Sequence, residues 1–358
     1  MKLLVAIQVL LPLFVVTKAC TEIRVTAKDN SVLVGRSMEY GVDLSSYIIV
    51  EPKGHSHTAF LPEICDGQDP MTWTNQHGSI AYLDAWNLPI GVDGQNEVGL
   101  SVGTLLFPGF AKFQDPGQNC GSSLSSLAFP RWILGVFKTV QDVREALEND
   151  TFPLVWQQTP LEVHYSVTDK SGDGIIIEFT DQGRMVYDNT IGILTNSPPY
   201  DFHMLNIRNY IELSPFDHDP LVLGNDQFKA IGKGNGLLGM PGDLTPPSRF
   251  VRAAVMVHFS DPVQTAKEAV NLAFHILNTV DIPRGVASSD YTSWVVVKDL
   301  TNNALYFRNY EDLTIRVIYL NEVTPGKVLK IKVENPIAGF VNVTDKLNAI
   351  NRDPHTEL

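Results

Sequence analysis

Met1-Lys2, the apolar run Leu3–Val16, and then Thr17-Lys18-Ala19-Cys20-Thr21-Glu22-Ile23 open this chain. A positive start, an apolar segment of secretory length and a small residue before Cys20 read as a cleavable signal peptide over residues 1–19. The apolar run is too short to cross a bilayer as a helix. Cutting after Ala19 makes Cys20 the first residue of the mature chain and leaves a free α-amine on the carbon that carries the thiol. Such an amine has a reference pKa of roughly 7.7–8.0, against about 10.4 for lysine. It is partly unprotonated near neutrality and can take the proton of its own thiol, so one residue supplies both nucleophile and base. A lipid-attachment cysteine also follows a signal segment, although Thr17 and Lys18 fit that pattern poorly. The local segment leaves both readings open.

Outward from Cys20 the pattern alternates. Ile23, Val25 and Ala27 fall on one face, and Glu22, Arg24 and Thr26 on the other. Asp29-Asn30 is a turn signal before Val32-Leu33-Val34-Gly35-Arg36-Ser37-Met38-Glu39, so a β-hairpin is expected with Arg36 and Glu39 on the returning strand. Further strands are expected at Ile80–Leu83, Leu100–Leu105, Val163–Thr168, Gly174–Phe179, Ile191–Leu194, Ser293–Lys298, Ala304–Arg308, Ile315–Leu320 and Val328–Val333. Helical periodicity covers Leu124–Val140, Gln141–Glu148 and Asp261–Thr279, the last behind an Asp261 cap. Strands and helices do not alternate strictly, which speaks against a doubly wound parallel sheet. Residues 20–358 hold no Pro/Ser-rich linker and no repeat, so a single domain is expected. Gly232-Lys233-Gly234-Asn235-Gly236 follows no strand and lacks a Lys-Ser/Thr ending, so it is not a phosphate loop.

The charge balance is acidic, 27 Lys+Arg against 40 Asp+Glu for a formal net charge of −13. Nucleic acid and anionic membrane surfaces are therefore not expected partners, and no membrane span is expected. Three cysteines, Cys20, Cys65 and Cys120, make neither a disulfide scaffold nor paired metal-ligand spacing. Cys65 and Cys120 are either a disulfide in an oxidising compartment or two free thiols. Asp93 and Asp243 have no converging ligands, and no metal or other cofactor is expected.

Several short motifs occur in order: Cys20-Thr21, Gly35-Arg36-Ser37-Met38-Glu39, Asp93-Gly94-Gln95-Asn96-Glu97-Val98-Gly99-Leu100 and Leu194-Thr195-Asn196-Ser197-Pro198. Gly239-Met240-Pro241-Gly242-Asp243-Leu244-Thr245-Pro246, Ser248-Arg249-Phe250 and Tyr291-Thr292-Ser293 follow. Together they resemble the choloylglycine hydrolases, which include penicillin V acylases and bile salt hydrolases, within the wider class of N-terminal-nucleophile amidases. The resemblance runs over nearly the whole mature chain and weighs against lipid attachment. It implies an α+β fold, a four-layer αββα sandwich of two mainly antiparallel sheets. It also implies a homotetramer, to which Pro198–Asn225 would contribute if it projects as an arm.

The residue roles that the resemblance implies agree with what the chemistry needs. Cys20 attacks an amide carbonyl and passes through an oxyanion to a thioester that water hydrolyses. Arg36 holds a cation near the sulfur, which favours the thiolate; an isolated strand arginine would otherwise form a surface salt bridge. Glu39, where the family usually has Asp, is expected to hydrogen-bond and orient the α-amine. Asn196 matches the oxyanion asparagine, whose amide donor in a dry site is worth about 3 kcal/mol. A backbone N–H at Leu106 would be the second donor; bile-salt-type members carry Asn there, and Leu106 turns the expectation away from bile salts. Arg249 fixes the charge network around the nucleophile, and Asn96 supports loop geometry. Tyr40, Trp86, Phe107 and Phe110 could line an acyl pocket or simply belong to the core.

The expected activity is thus that of a secreted enzyme, extracellular or periplasmic, that cleaves linear C–N amide bonds of a small-molecule acyl-amide substrate. Penicillin V, an N-acyl homoserine lactone or a fatty amide comes first, and conjugated bile salts second. A catalytically idle relative that only binds acylated amines is the alternative from another class.

Overall fold

The computed structural model describes residues 19–333, apart from 79, 86, 87, 118, 150, 151 and 325. The leader up to Lys18, Trp86 and residues 334–358 of the expected domain lie outside the described residues. Among the described residues, fourteen strands build the two main sheets. In chain order they are β1 Cys20–Thr26, β2 Val32–Tyr40, β3 Tyr47–Glu51, β4 Ile80–Ala85, β5 Leu88–Gln95, β6 Leu100–Leu106 and β7 Val163–Asp169. After them come β8 Gly174–Thr180, β9 Gly183–Asp188, β10 Ile193–Leu194, β11 Tyr291–Asp299, β12 Ala304–Asn309, β13 Arg316–Tyr319 and β14 Leu329–Lys332. The first sheet runs β10-β1-β2-β11-β12-β13 and the second β9-β8-β7-β6-β5-β4-β3-β14. Every pairing within both is antiparallel.

The helices are α1 Phe129–Val136, α2 Val140–Glu148, α3 Tyr200–Asn206, α4 Pro246–Phe259 and α5 Ala266–Asn278. Helices α4 and α5 pack on the first sheet, and α1 and α2 on the second, which gives the αββα sandwich. Strand alternation explains the layering. Along β7, Tyr165 and Val167 join Phe129, Trp132, Val102 and Ile177 in the core beneath α1. The intervening His164 and Ser166 are also buried. Along β1 and β2, Ile23 and Gly35 pack under α5, where Gly35 is close to Leu277 and Ala273. The layer between the sheets therefore receives a set of polar side chains, and it is there that the chemistry collects.

The hairpin β1–β2 closes as expected. Asn30 takes a left-handed φ of 68° and Asp29 Oδ1 accepts from the Ser31 N–H at 2.9 Å. Two helix expectations change. Residues 123–125 form a short strand parallel to Leu154–Trp156, and α1 begins only at Phe129, with Pro130 in its first turn. Helix α5 starts at Ala266 behind Thr265, not behind Asp261. The carbonyls of Val263 and Gln264 accept from Lys28 and Asp29 in the hairpin turn, which holds that segment out of the helix. Cys65 and Cys120 form a disulfide. No helix among the described residues is long and apolar enough to cross a membrane.

Candidate active site

Cys20 begins β1 and is fully buried between the sheets. Cross-strand pairing sets Met38 opposite Cys20 and Arg36 opposite Glu22, so residues 20, 22, 36 and 38 share one face. The Cys20 Sγ lies 3.5 Å from Arg36 Nη2 and 3.8 Å from Met38 Sδ. Arg36 reaches across to the second sheet, where it donates to the carbonyls of Val92 and Thr104 and, at 3.1 Å, to Asp93 Oδ2. Burial works against the Arg36 charge, but Cys20, Asp93 and Glu22 outweigh it and raise its pKa above the ordinary value.

Arg249, on the second turn of α4, approaches from the helix side. Its Nη1 donates at 2.6 Å to both the Cys20 carbonyl and Thr21 Oγ1, and its Nη2 at 2.8 Å to Asn196 Oδ1. Thr245 and Pro246 set this geometry: Thr245 is the N-cap, proline occupies the first turn, and Arg249 Nε donates to the Leu244 carbonyl at 3.0 Å. Arg252 turns elsewhere, to the carbonyls of Thr279, Pro241 and Asp243.

Asn196 binds Cys20 itself. Its Oδ1 accepts from the Cys20 N–H at 2.6 Å, and its Nδ2 donates to the Leu106 carbonyl at 2.8 Å. Two buried imidazoles hold the segment, His164 Nε2 at 3.0 Å from the Thr195 carbonyl and His203 Nε2 at 2.8 Å from the Asn196 carbonyl. Burial drives His203 down to about 4. Neither histidine carried a signal in the sequence, because each acts through a distant main-chain carbonyl.

Glu39 differs from expectation. The Cys20 N–H goes to Asn196, while Glu39 Oε1 accepts from Thr292 Oγ1 at 2.8 Å. Thr292 is the cross-strand partner of Glu39, and the extra methylene relative to Asp carries the carboxyl toward it. Burial pushes the Glu39 carboxyl up to about 7, opposed chiefly by Arg249. The Glu39 N–H holds the Ala19 carbonyl at 3.0 Å, so the Ala19–Cys20 bond lies against this residue.

Asn96 ties the β5–β6 turn to the end of α1. It donates to the carbonyls of Leu134 and Phe137 at 2.9 and 3.0 Å and accepts from Leu100 N–H. Gly99, with φ of 89°, completes that turn. A cleft beside Cys20 is walled by Met38, Tyr40, Leu44, Val92, Leu106, Leu127, Leu161 and Val163, almost entirely aliphatic. Of the expected pocket aromatics among the described residues, Tyr40, Phe107 and Phe110, Tyr40 is on this wall. Phe107 is buried flat against His164, with ring centroids 4.5 Å apart, and Phe110 is 43% exposed. Met38 and Tyr40 follow Arg36 at two-residue spacing, a signal the sequence did contain.

Glu51, His55 and His57 come close enough to hold a metal, with ligand atoms within 4.8 Å of one another. Arg131 already fills that role as a cation, 2.7 Å from Glu51 Oε1 and 2.9 Å from His57 Nδ1.

Residues 20–325 match the sequence profile of the linear amide C–N hydrolases, choloylglycine hydrolase family. The bile salt hydrolase/transferase of Bifidobacterium longum subsp. longum is 31% identical over 309 residues, 83% of this chain and 94% of that protein. Penicillin V acylase of Pectobacterium atrosepticum is 25% identical over 305 residues, 77% of this chain and 74% of that one. A solved variant of the conjugated bile acid hydrolase from Clostridium perfringens superposes with a TM-score of 0.79 at 27% identity, covering 90% of this chain and 99% of that one. With the match beginning on Cys20 itself and running through both sheets, this chain belongs to the choloylglycine hydrolase family and is an amidase of linear C–N bonds.

Proposed function

We propose that removal of residues 1–19 frees the Cys20 α-amine, and that the mature protein hydrolyses N-acyl amides with an apolar acyl group through a Cys20 thioester. The observation that carries this reading is the Cys20 sulfur in contact with Arg36 at the floor of an aliphatic cleft. The amine takes the thiol proton, and the thiolate adds to the amide carbonyl beside Arg36. Asn196 Nδ2 has two hydrogens, one of which is given to the Leu106 carbonyl; the other, with a main-chain N–H at Leu106, stabilises the oxyanion. The α-ammonium returns its proton to the leaving amine as the C–N bond breaks. Water then gives a proton to the same α-amine, adds to the thioester and releases the acid. Glu39 Oε2, which has no hydrogen-bond partner among the described residues, supports a role in holding that amine.

Penicillin V, N-acyl homoserine lactones and fatty amides fit the aliphatic wall. Conjugated bile salts come second, because Leu106 offers the cleft no polar side chain. The Cys65–Cys120 disulfide supports secretion into an oxidising compartment, extracellular or periplasmic. Residues 20–358 act as a single domain. The segment beyond α3 supports assembly: Ile211, Phe216, Leu221, Val222, Leu223 and Phe228 are all exposed there, an apolar surface suited to a second copy in a homotetramer. N-terminal sequencing of the processed protein, followed by a hydrolysis panel of these three acyl classes and glycine-conjugated bile salts, tests the reading. A mature chain that starts at Cys20 and releases acid from the apolar substrates is expected. A blocked α-amine on a chain that still hydrolyses them would remove the base and with it the mechanism.

A further inference from the structure

Behind the nucleophile, charged side chains continue past Arg36. Lys298 on β11 is completely buried, with its Nζ 2.5 Å from Asp93 Oδ1 and 3.6 Å from Glu22 Oε2. Asp93 in turn is 3.1 Å from Arg36 Nη1. The series Glu22–Lys298–Asp93–Arg36–Cys20 thus bridges the two sheets, with Asp93 from the second and the others from the first. Burying four charged groups is costly unless each is held, and the backbone has been shaped to admit them. A Cβ at Gly103, the β6 partner of Asp93, would strike Glu22 Oε2. Nothing about substrate binding requires Lys298, which does not line the cleft.

We propose that Lys298 is a positioning residue for the reaction, a second buried cation that fixes Asp93 against Arg36 Nη1 and so keeps Arg36 Nη2, one hydrogen of which goes to the Thr104 carbonyl, aimed with its other hydrogen at the Cys20 thiolate. A lone Arg36–Asp93 pair would cancel its own charge. With Lys298 added, two cations face one carboxylate, and the surplus positive charge sits next to the sulfur. Glu22 modulates that surplus: ionised, it neutralises Lys298, and protonated, it leaves Lys298 to Asp93. Burial raises the Glu22 carboxyl and Lys298 is the first group to oppose that rise, so an ionised Glu22 competes with Asp93 for the Lys298 charge.

Alkylation of the processed protein by iodoacetamide between pH 5 and 9, read by intact mass, tests this directly. Cys20 is the one cysteine outside the disulfide, so no other thiol interferes. The titratable groups around the thiol are its own α-amine, Arg36 and Tyr40 from β2 and Arg249 from α4, with Glu39 beside Arg249 and His203 behind Asn196. Varying Lys298 or Glu22 leaves all of these in place. Lys298→Met is expected to slow alkylation at pH 7 about tenfold and to move its inflection up by about one pH unit. It should also lower kcat with little change in KM, and Lys298→Arg should restore most of the rate. Glu22→Gln should move the inflection the other way. A folded K298M with the wild-type alkylation profile overturns the proposal, as does a K298R that is as slow as K298M, since packing alone would then account for the residue. If K298M does not fold, E22Q decides, and an unmoved inflection there overturns it. The inference rests on Cys20 being the nucleophile. A wild-type thiol with ordinary reactivity would defeat that reading and this one together, whereas a reactive wild type with unaltered variants defeats only this one.

Discussion

Two buried ionic clusters lie on opposite faces of the eight-stranded sheet, and only one of them has an open end. Between the sheets, Glu22, Lys298, Asp93 and Arg36 lead to the Cys20 sulfur and the aliphatic cleft. On the α1 side, Glu51, His57, Asn75 and Arg131 close on themselves. Arg131 meets Glu51 and His57 Nδ1, Asn75 answers Glu51 Oε2 at 3.2 Å and His57 Nε2 at 3.1 Å, and Trp73 stacks on the imidazole. Both clusters carry the desolvation cost of buried charge. The difference is that in the closed one, both oxygens of Glu51 and both nitrogens of His57 are used internally, so nothing is left to act on a substrate. Buried charge therefore identifies a reactive site only when the network ends on a nucleophile beside a cavity.

The largest expected effect is at that open end. Cys20→Ala should abolish hydrolysis, by at least about 10⁴-fold in kcat/KM, while an apolar acyl amide still binds in the cleft. An alanine variant that binds and a wild type that also fails to hydrolyse would mark an idle binding protein, and the contrast between the two clusters would lose its functional meaning.

Next comes the closed cluster. Arg131→Met leaves Glu51 buried without its cation and should cost about 3–5 kcal/mol of folding stability, measured by urea unfolding. The kcat of the folded fraction should stay within about twofold of wild type. A large fall in kcat with stability intact would show that the closed cluster also serves the reaction.

His203 gives a pH-dependent version of the same contrast, because it belongs to the reactive side. Its folded pKa of about 4 lies below the unfolded 6.5, so the unfolded chain binds the proton more readily. Its contribution is fully present above pH 6.5 and is lost as pH falls toward 4, by at most about 3 kcal/mol. His203→Gln keeps a donor for the Asn196 carbonyl and removes the titration. It should flatten the stability profile between pH 6.5 and 4; an unchanged slope would assign the acid limb to other groups.

How much of this could be read from the sequence depended on the range of each interaction. Strand alternation and turn chemistry are local, so the β1–β2 hairpin and the strands from β6 to β8 and β11 to β13 were legible. Cys20, Arg36, Asn196 and Arg249 were found because each stands in a short motif, and the structure brings all four together. Helix α4 went unlisted because Pro246-Pro247-Ser248-Arg249 reads as a motif before it reads as a helix start. The start of α5 was misplaced because two hydrogen bonds from the distant hairpin turn hold Val263 and Gln264 extended. Lys298, His164 and His203 were invisible for the same reason. Their partners are 205, 31 and 7 residues away, and no periodicity encodes a contact between sheets or with a main-chain carbonyl. The contact of Glu39 Oε1 with Thr292 was not legible because it crosses to a neighbouring strand.

The smallest expected effect lies where the open cluster meets the cleft. Leu106 has two roles: its carbonyl accepts Asn196 Nδ2 at 2.8 Å, and its side chain forms part of the aliphatic wall. Leu106→Asn keeps the first, because the main chain is unchanged, and replaces the second with an amide that can donate and accept. Loss of apolar contact should weaken apolar acyl groups, and the added amide should favour a conjugate that carries hydroxyls. The ratio of kcat/KM for glycine-conjugated bile salts over penicillin V should therefore rise about tenfold, or about 1.4 kcal/mol, with thiol alkylation unchanged. If the ratio stays fixed while alkylation slows, the Leu106 side chain supports the nucleophile and not the substrate, and the boundary between the ionic network and the cleft must be drawn one residue further out.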